Sequence, residues 1–234
     1  DIWMTHTGSG SRNDSIPGMA PELFDRTSYC GDSIAMYTHC GTHIDTLNHV
    51  GHYGCFWNGW KADTHLGSHH WMVGGTDKYP PIMARGVLLD IAGLHGVDCL
   101  DDGYAVTPKD LQDAVKKQGV ELKKGDVVNV RMGRMSKWPD YDGYLVNPPG
   151  LGLAAAKWLC EEGGAMCIAG DTIGLEVIPF EEENVFLPVH SYMFSTAGAQ
   201  IIEVVNMQEI AAEQQYEFCF MGFPMKIRGA TGAP

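Results

Sequence analysis

Residues 39 to 49 read His39-Cys40-Gly41-Thr42-His43-Ile44-Asp45-Thr46-Leu47-Asn48-His49, which places three histidines and one aspartate in a short run. Imidazole nitrogen and carboxylate oxygen are donors that divalent transition metals favour, and a catalytic ion keeps one coordination position free. The spacing selects the backbone that can use them. On a helix, at about 100° per residue, His43 and Asp45 point about 200° apart and cannot share an ion. On an extended strand His39, His43 and Asp45 fall on one face. The spacing therefore predicts an extended segment presenting three ligands, followed by a turn or helix start that carries His49. Gly41 is expected to let the backbone approach the ion closely, and Asp45 is short enough to cap the turn at residues 46–48. Polar loop residues with satisfied hydrogen bonds and no metal are the alternative, and three histidines plus an aspartate on one face weigh against it.

The elements that must hold this segment read as mixed α/β. Residues 86–91, 126–131, 167–169, 201–205 and 216–220 are apolar, β-branched runs expected to be strands. Thr107 is an N-cap with Pro108 at the first helical position, opening a helix that runs from Leu111 to about Gln118. A second helix is expected from Leu151 to Glu162, ended by Gly163-Gly164. Residues 1–35, rich in Gly, Ser, Asn, Asp and Pro, read as mostly loop, and the glycine- and aromatic-rich residues 50–85 read as a long functional loop. No repeat or linker interrupts residues 1–234, so one domain is expected.

Composition excludes other classes. The chain has 234 residues with 16 Lys+Arg against 29 Asp+Glu, a net charge of −13. No basic stripe is present to release counterions from a phosphate backbone, so neither nucleic acid nor an anionic membrane is an expected partner. No apolar run approaches the ~20 residues that span a bilayer. Seven scattered cysteines without a CxxC pair fit a reducing compartment, and a cytoplasmic location is expected. A removed signal peptide stays open, since the sequence starts at Asp1.

The His39–His49 segment matches, without a gap, the HxGTHxDxxxH signature of the cyclase-like metal-dependent hydrolases, the family of bacterial kynurenine formamidase and isatin hydrolase. The resemblance extends to Arg85-Gly86-Val87-Leu88-Leu89-Asp90, to Pro149-Gly150-Leu151 with Gly170-Asp171-Thr172, to His190 with Glu203, and to Gly229-Ala230-Thr231-Gly232-Ala233-Pro234. It implies a swivelling β/β/α fold, a mixed sheet or small barrel flanked by helices. It also implies one or two ions of Mn2+ or Zn2+, held by His39, His43 and Asp45, with His49 as general acid/base. His190 and Glu203, with Gln200 as an amide that could replace a carboxylate, would complete a second metal position. The implied reaction is attack of metal-bound hydroxide on a small amide, imide or ester, with His49 moving the proton.

An isatin-like lactam is the favoured substrate. Kynurenine formamidase and dienelactone-type hydrolysis are the alternatives, the first weakened because no proline follows Asp45 by two residues. A metal-binding module without turnover is the reading from another class. The resemblance also suggests a homodimer or homotetramer.

Weaker signals have plainer explanations. Gly150, Gly152 and Ala155 fit GxGxxA, but Asn147-Pro148-Pro149 in front cannot be a central strand, so nucleotide binding is set aside. Cys40 is expected to pack on the face away from the ligands and not to act as a nucleophile. Phe24, Tyr29, Trp57, Trp60, His69 and Trp71 are candidates for a substrate pocket or for packing beneath the long loop. Arg131 and Asp171 stand at strand ends, as site residues or as structural ion pairs.

Overall fold

The computed structural model describes residues 2–6, 20, 22 and 30–234. The chain groups into two compact units, Asp1–Tyr37 and Thr38–Pro234. In the first, strand β1 (Ile2–His6) pairs antiparallel with β2 (Gly31–Ile34). Part of the segment expected as loop is therefore a β-ladder.

The second unit is built on one mixed sheet. After β3 (His43–Asp45) and helix α1 (Ala62–His65) come β4 (Ile82–Asp90), α2 (Ile91–His95), β5 (Ala105–Val106), α3 (Pro108–Gln118) and β6 (Val127–Arg131). Next are α4 (Tyr141–Leu145), β7 (Gly150–Leu151), α5 (Leu153–Glu161), β8 (Cys167–Gly170) and α6 (Pro188–Tyr192). The series ends with β9 (Gln200–Glu203), α7 (Gln208–Ala212), β10 (Glu217–Gly222) and β11 (Gly232–Ala233). The seven-stranded sheet has the order β10-β4-β6-β8-β9-β3-β11, with β4, β6, β8 and β9 mutually parallel and the outer pairings antiparallel. This is the α/β architecture expected from the sequence.

Apolar side chains leave both sheet faces, as strand alternation requires. On one face Val87, Leu89, Val128, Val130, Ile168 and Ile201 pack under Leu111 and Ala114 of α3 and Ala155, Ala156 and Leu159 of α5. On the other, Ile44, Leu88, Val127, Ala169 and Ile202 pack with Met207. Each large aliphatic side chain so buried stabilises the fold by about 1.5–3 kcal/mol. Among the described residues no helix is long and apolar enough to cross a membrane.

Local sequence explains most boundaries. The Thr107 hydroxyl accepts from the Asp110 amide while the Asp110 carboxylate accepts from the Thr107 amide, a reciprocal cap that fixes the start of α3. Helix α5 begins at Leu153 and not at Leu151, because Gly150-Leu151 is used as β7, paired parallel with β5. Strand β9 stops at Glu203, since Val204 has φ 57 and turns the chain.

Candidate metal centre

Strand β3 is short, yet it lies between two partners that define the site. His43 stands opposite Glu203 of β9, and Asp45 stands opposite Ile201 on one side and Gly232 of β11 on the other. Alternation sends Ile44 into the apolar cluster and leaves His43 and Asp45 on the opposite face, both nearly sealed from solvent. The extended segment predicted from His39 onward is not continuous, because regular strand geometry starts only at His43. Gly41 turns the chain with φ 61, and a Cβ there would meet open space. That left-handed conformation is one glycine adopts without strain.

His39 swings back over Asp45. Its Nδ1 lies 2.7 Å from Asp45 Oδ1 and its Nε2 lies 3.0 Å from Thr231 Oγ1. His43 Nδ1–H donates to the Gly41 carbonyl at 2.9 Å. His43 Nε2 is buried without a hydrogen-bond partner, 3.4 Å from both Asp45 Oδ1 and Glu203 Oε2. From α6, His190 Nδ1–H donates to Glu176 Oε1 at 2.5 Å, while Nε2 lies 3.1 Å from Glu203 Oε1 and 3.7 Å from Asp45 Oδ2.

The three rings share one plan. Each turns one nitrogen outward to a protein oxygen; the other faces Asp45 in His39 and both Asp45 and Glu203 in His43 and His190. Outward contacts of this kind fix the tautomer and orientation of metal-binding histidines. Two donor groups result, His39–His43–Asp45 and Asp45–His190–Glu203, each with its ligand atoms within 4.8 Å of one another, and Asp45 belongs to both. An orphaned buried nitrogen between two carboxylates is costly without a cation, so these residues fit a divalent metal.

Electrostatics agree with the geometry. Burial works against charging His43 and His190, but the carboxylates beside them prevail and push each up to about 10. Protons there stand where a cation would compete for the same lone pairs. For Asp45, burial acts upward, and its contacts with His39 and His43 outweigh it, holding the carboxyl below the ordinary range.

His49 differs from the other three. Its amide donates to the Thr46 carbonyl, closing a turn whose Thr46 and Asn48 side chains are buried and bonded to the Thr231 and Val73 carbonyls. These residues shape the turn, and the Asp45 carboxylate faces the histidines instead of capping it. The His49 side chain stays 25 % exposed, with its ring centroid 4.2 Å from that of His39 and Nε2 3.9 Å from Asp45 Oδ2. Burial is the main cause that pulls its pKa down to about 4, so the ring is neutral at pH 7.

Gln200 interacts with the Tyr79 hydroxyl. Trp57 and Trp60 pack against the main core, Trp71 packs edge-on to Phe56, and His69 is exposed. Phe24 and Tyr29 lie outside the described residues. Phe194 is the aromatic ring found beside both His49 and His190, with centroids 6.3 and 5.7 Å away. Cys40 is exposed and not packed as expected. Arg131 is paired with Asp90, and the Asp171 carboxylate accepts from the Met132 and Gly133 amides, so both serve structure.

Two contributors escaped the sequence reading. Thr231 lies in the 229–234 segment of the resemblance, at a position that segment leaves unspecified. Glu176 left one signal, a lone carboxylate in the apolar run Leu175-Glu176-Val177.

Comparison with known proteins assigns the chain to a family. The Cyclase family model matches residues 2–177. The fold resembles the crystal structure of a novel cyclase, with TM-score 0.82 and 29 % identity over 100 % of this chain and 77 % of that one. Isatin hydrolase A from Ralstonia solanacearum is similar in fold, with TM-score 0.67 and 18 % identity over 100 % of this chain and 79 % of that one. A predicted metal-dependent hydrolase from Bacillus stearothermophilus shares the fold at TM-score 0.54 and 18 % identity, over 100 % and 96 % of the two chains. Among curated proteins no sequence matches. The chain belongs to the cyclase family.

Proposed function

We propose that the protein is a metal-dependent hydrolase of a small amide or ester carbonyl, with a cyclic lactam of the isatin type as first candidate. The observation that carries this reading is the paired donor set sharing Asp45, with the unpartnered His43 Nε2 inside it and a neutral imidazole, His49, beside it. His39, His43 and Asp45 would hold one ion, and Asp45, His190 and Glu203 a second. Mixed imidazole and carboxylate donors suit Zn2+ or Mn2+. A divalent ion bound there supplies Lewis-acid polarisation of a carbonyl and makes water more acidic.

The chain's own part is proton handling and orientation. His49 is neutral at pH 7, open to solvent on one side and close to Asp45, so it can take the proton of an attacking water. The same ring can return that proton to the departing nitrogen or oxygen. Asp45, kept ionised by its neighbours, stays a ligand and leaves this task to His49. The lactam preference is supported by fold likeness to isatin hydrolases.

Elemental analysis of purified protein, followed by hydrolysis assays on isatin, a formylated aryl amine and an unsaturated lactone with and without chelator, tests the reading. The expected result is recruited zinc or manganese and chelator-sensitive opening of the lactam. A protein that takes up no divalent ion overturns the proposal, and metal uptake without turnover on any of the three leaves a binding module.

A further inference from the structure

Glu176 is 1 % exposed, and no Lys or Arg among the described residues pairs with it. Its place is set by backbone contacts. Leu175 has φ 52, and the Leu151 amide donates to the Leu175 carbonyl while the Val177 amide donates to the Leu151 carbonyl. Gly150 lies so close that a Cβ on it would overlap the Glu176 carbonyl. The carboxylate is thereby aimed at the first turn of α6. It accepts from the Val189 amide at 3.2 Å, the His190 amide at 3.0 Å and His190 Nδ1 at 2.5 Å. A buried carboxylate with three converging donors is satisfied as an acceptor.

The three ligand histidines are thus backed unequally. His43 leans on a carbonyl, His39 on a hydroxyl and His190 on a carboxylate. An anionic acceptor behind the ring raises the basicity of the nitrogen that faces the metal, and such partners typically change metal affinity 10–100-fold. His190 also sits on a helix whose first-turn amides are gripped by the same carboxylate, so ring and backbone are held together.

We infer that Glu176 is a positioning residue that makes the Asp45–His190–Glu203 position the tighter of two unequal metal positions. The inference rests on the proposed function and deepens it. It predicts ordered loading, with the His190 side filled first and the His39–His43 side filled at higher metal concentration.

The test is a calorimetric titration of metal-free wild type, Glu176→Gln and His39→Ala with Zn2+ and, separately, Mn2+. Wild type should show a tight and a weak phase. Glu176→Gln, which keeps the shape and loses the charge, should weaken the tight phase by about 10–100-fold and spare the weak one. His39→Ala should remove the weak phase and keep the tight one. In the zinc-loaded protein the downfield Nδ1 proton of His190, visible by histidine 15N-edited NMR, should move upfield in Glu176→Gln. Equal weakening of both phases, or a tight phase unchanged in Glu176→Gln, overturns the inference while leaving the hydrolase reading intact. Failure of wild type to bind either ion removes both. Gly150→Ala, which displaces the Glu176 backbone without touching its charge, should shift the tight phase in the same direction, and an unchanged tight phase there also counts against it.

Discussion

Replacing His49 by alanine separates proton transfer from metal binding. The ring makes no side-chain hydrogen bond among the described residues and stays 25 % exposed, so its removal opens space to solvent and seals no cavity. The stability loss should therefore stay near the ordinary ~1 kcal/mol of a point substitution, a melting shift of about 2–4 °C at this chain length. Catalysis should suffer far more. With a pKa of about 4, roughly one wild-type ring in a thousand is protonated at pH 7, so the base is almost fully available. Loss of a positioned general acid/base costs about 10²–10⁴-fold, which is about 2.7–5.4 kcal/mol of barrier at 1.36 kcal/mol per tenfold. The assay is kcat/KM on the lactam with metal content measured on the same samples, and added imidazole should restore part of the His49→Ala rate. The pH profile carries an independent sign. A histidine with a lowered pKa remains neutral until the pH falls through about 4, so the wild-type acid limb attributable to this ring lies there and disappears in the variant. Activity within threefold of wild type, with metal retained, would refute the role given to His49.

Three further outcomes are expected. Asp45→Asn, which alters the ligand common to both donor groups, should abolish binding of both ions by elemental analysis, whereas removal of His39 or His190 alone should affect one. Cys40→Ser should retain activity within about threefold, since the thiol is exposed and a nucleophilic role would demand near-complete loss. Leu111→Ala, at a fully buried position between α3 and the sheet, should destabilise by about 2–5 kcal/mol and lower the melting temperature by roughly 4–20 °C, with metal stoichiometry unchanged.

What the sequence could reveal depended on how locally the structure is determined. His43 and Asp45 were readable as same-face donors because period-two alternation is intrinsic to a strand, and the α3 start was readable because Thr107, Pro108 and Asp110 settle it among themselves. The positive φ of Gly41 was not legible, because a glycine between ligands is compatible with several backbone conformations and only the folded chain selects one. The start of α5 was misplaced for a different reason. Gly150-Leu151 has helix-compatible residues, but pairing with β5 captured it. Glu176 and Thr231 could not be assigned to the site because their partners, His190 and His39, lie 14 and 192 positions away, and even the 229–234 segment that holds Thr231 encodes no such pairing.

Those separations also give the centre a part in folding. Asp45 lies on β3, His190 belongs to α6 and Glu203 ends β9, so the Asp45–His190–Glu203 group assembles only when these distant segments have come together. A ligand that recognises only the closed form adds RT ln(1 + [L]/Kd) to its stability, about 2.7 kcal/mol at a hundredfold excess over Kd. For a domain whose whole margin is typically 5–15 kcal/mol, such a contribution is large. The unfolded fraction of this protein would then track the free divalent ion around it, and metal scarcity would act through turnover of the chain by proteases as much as through idle active sites.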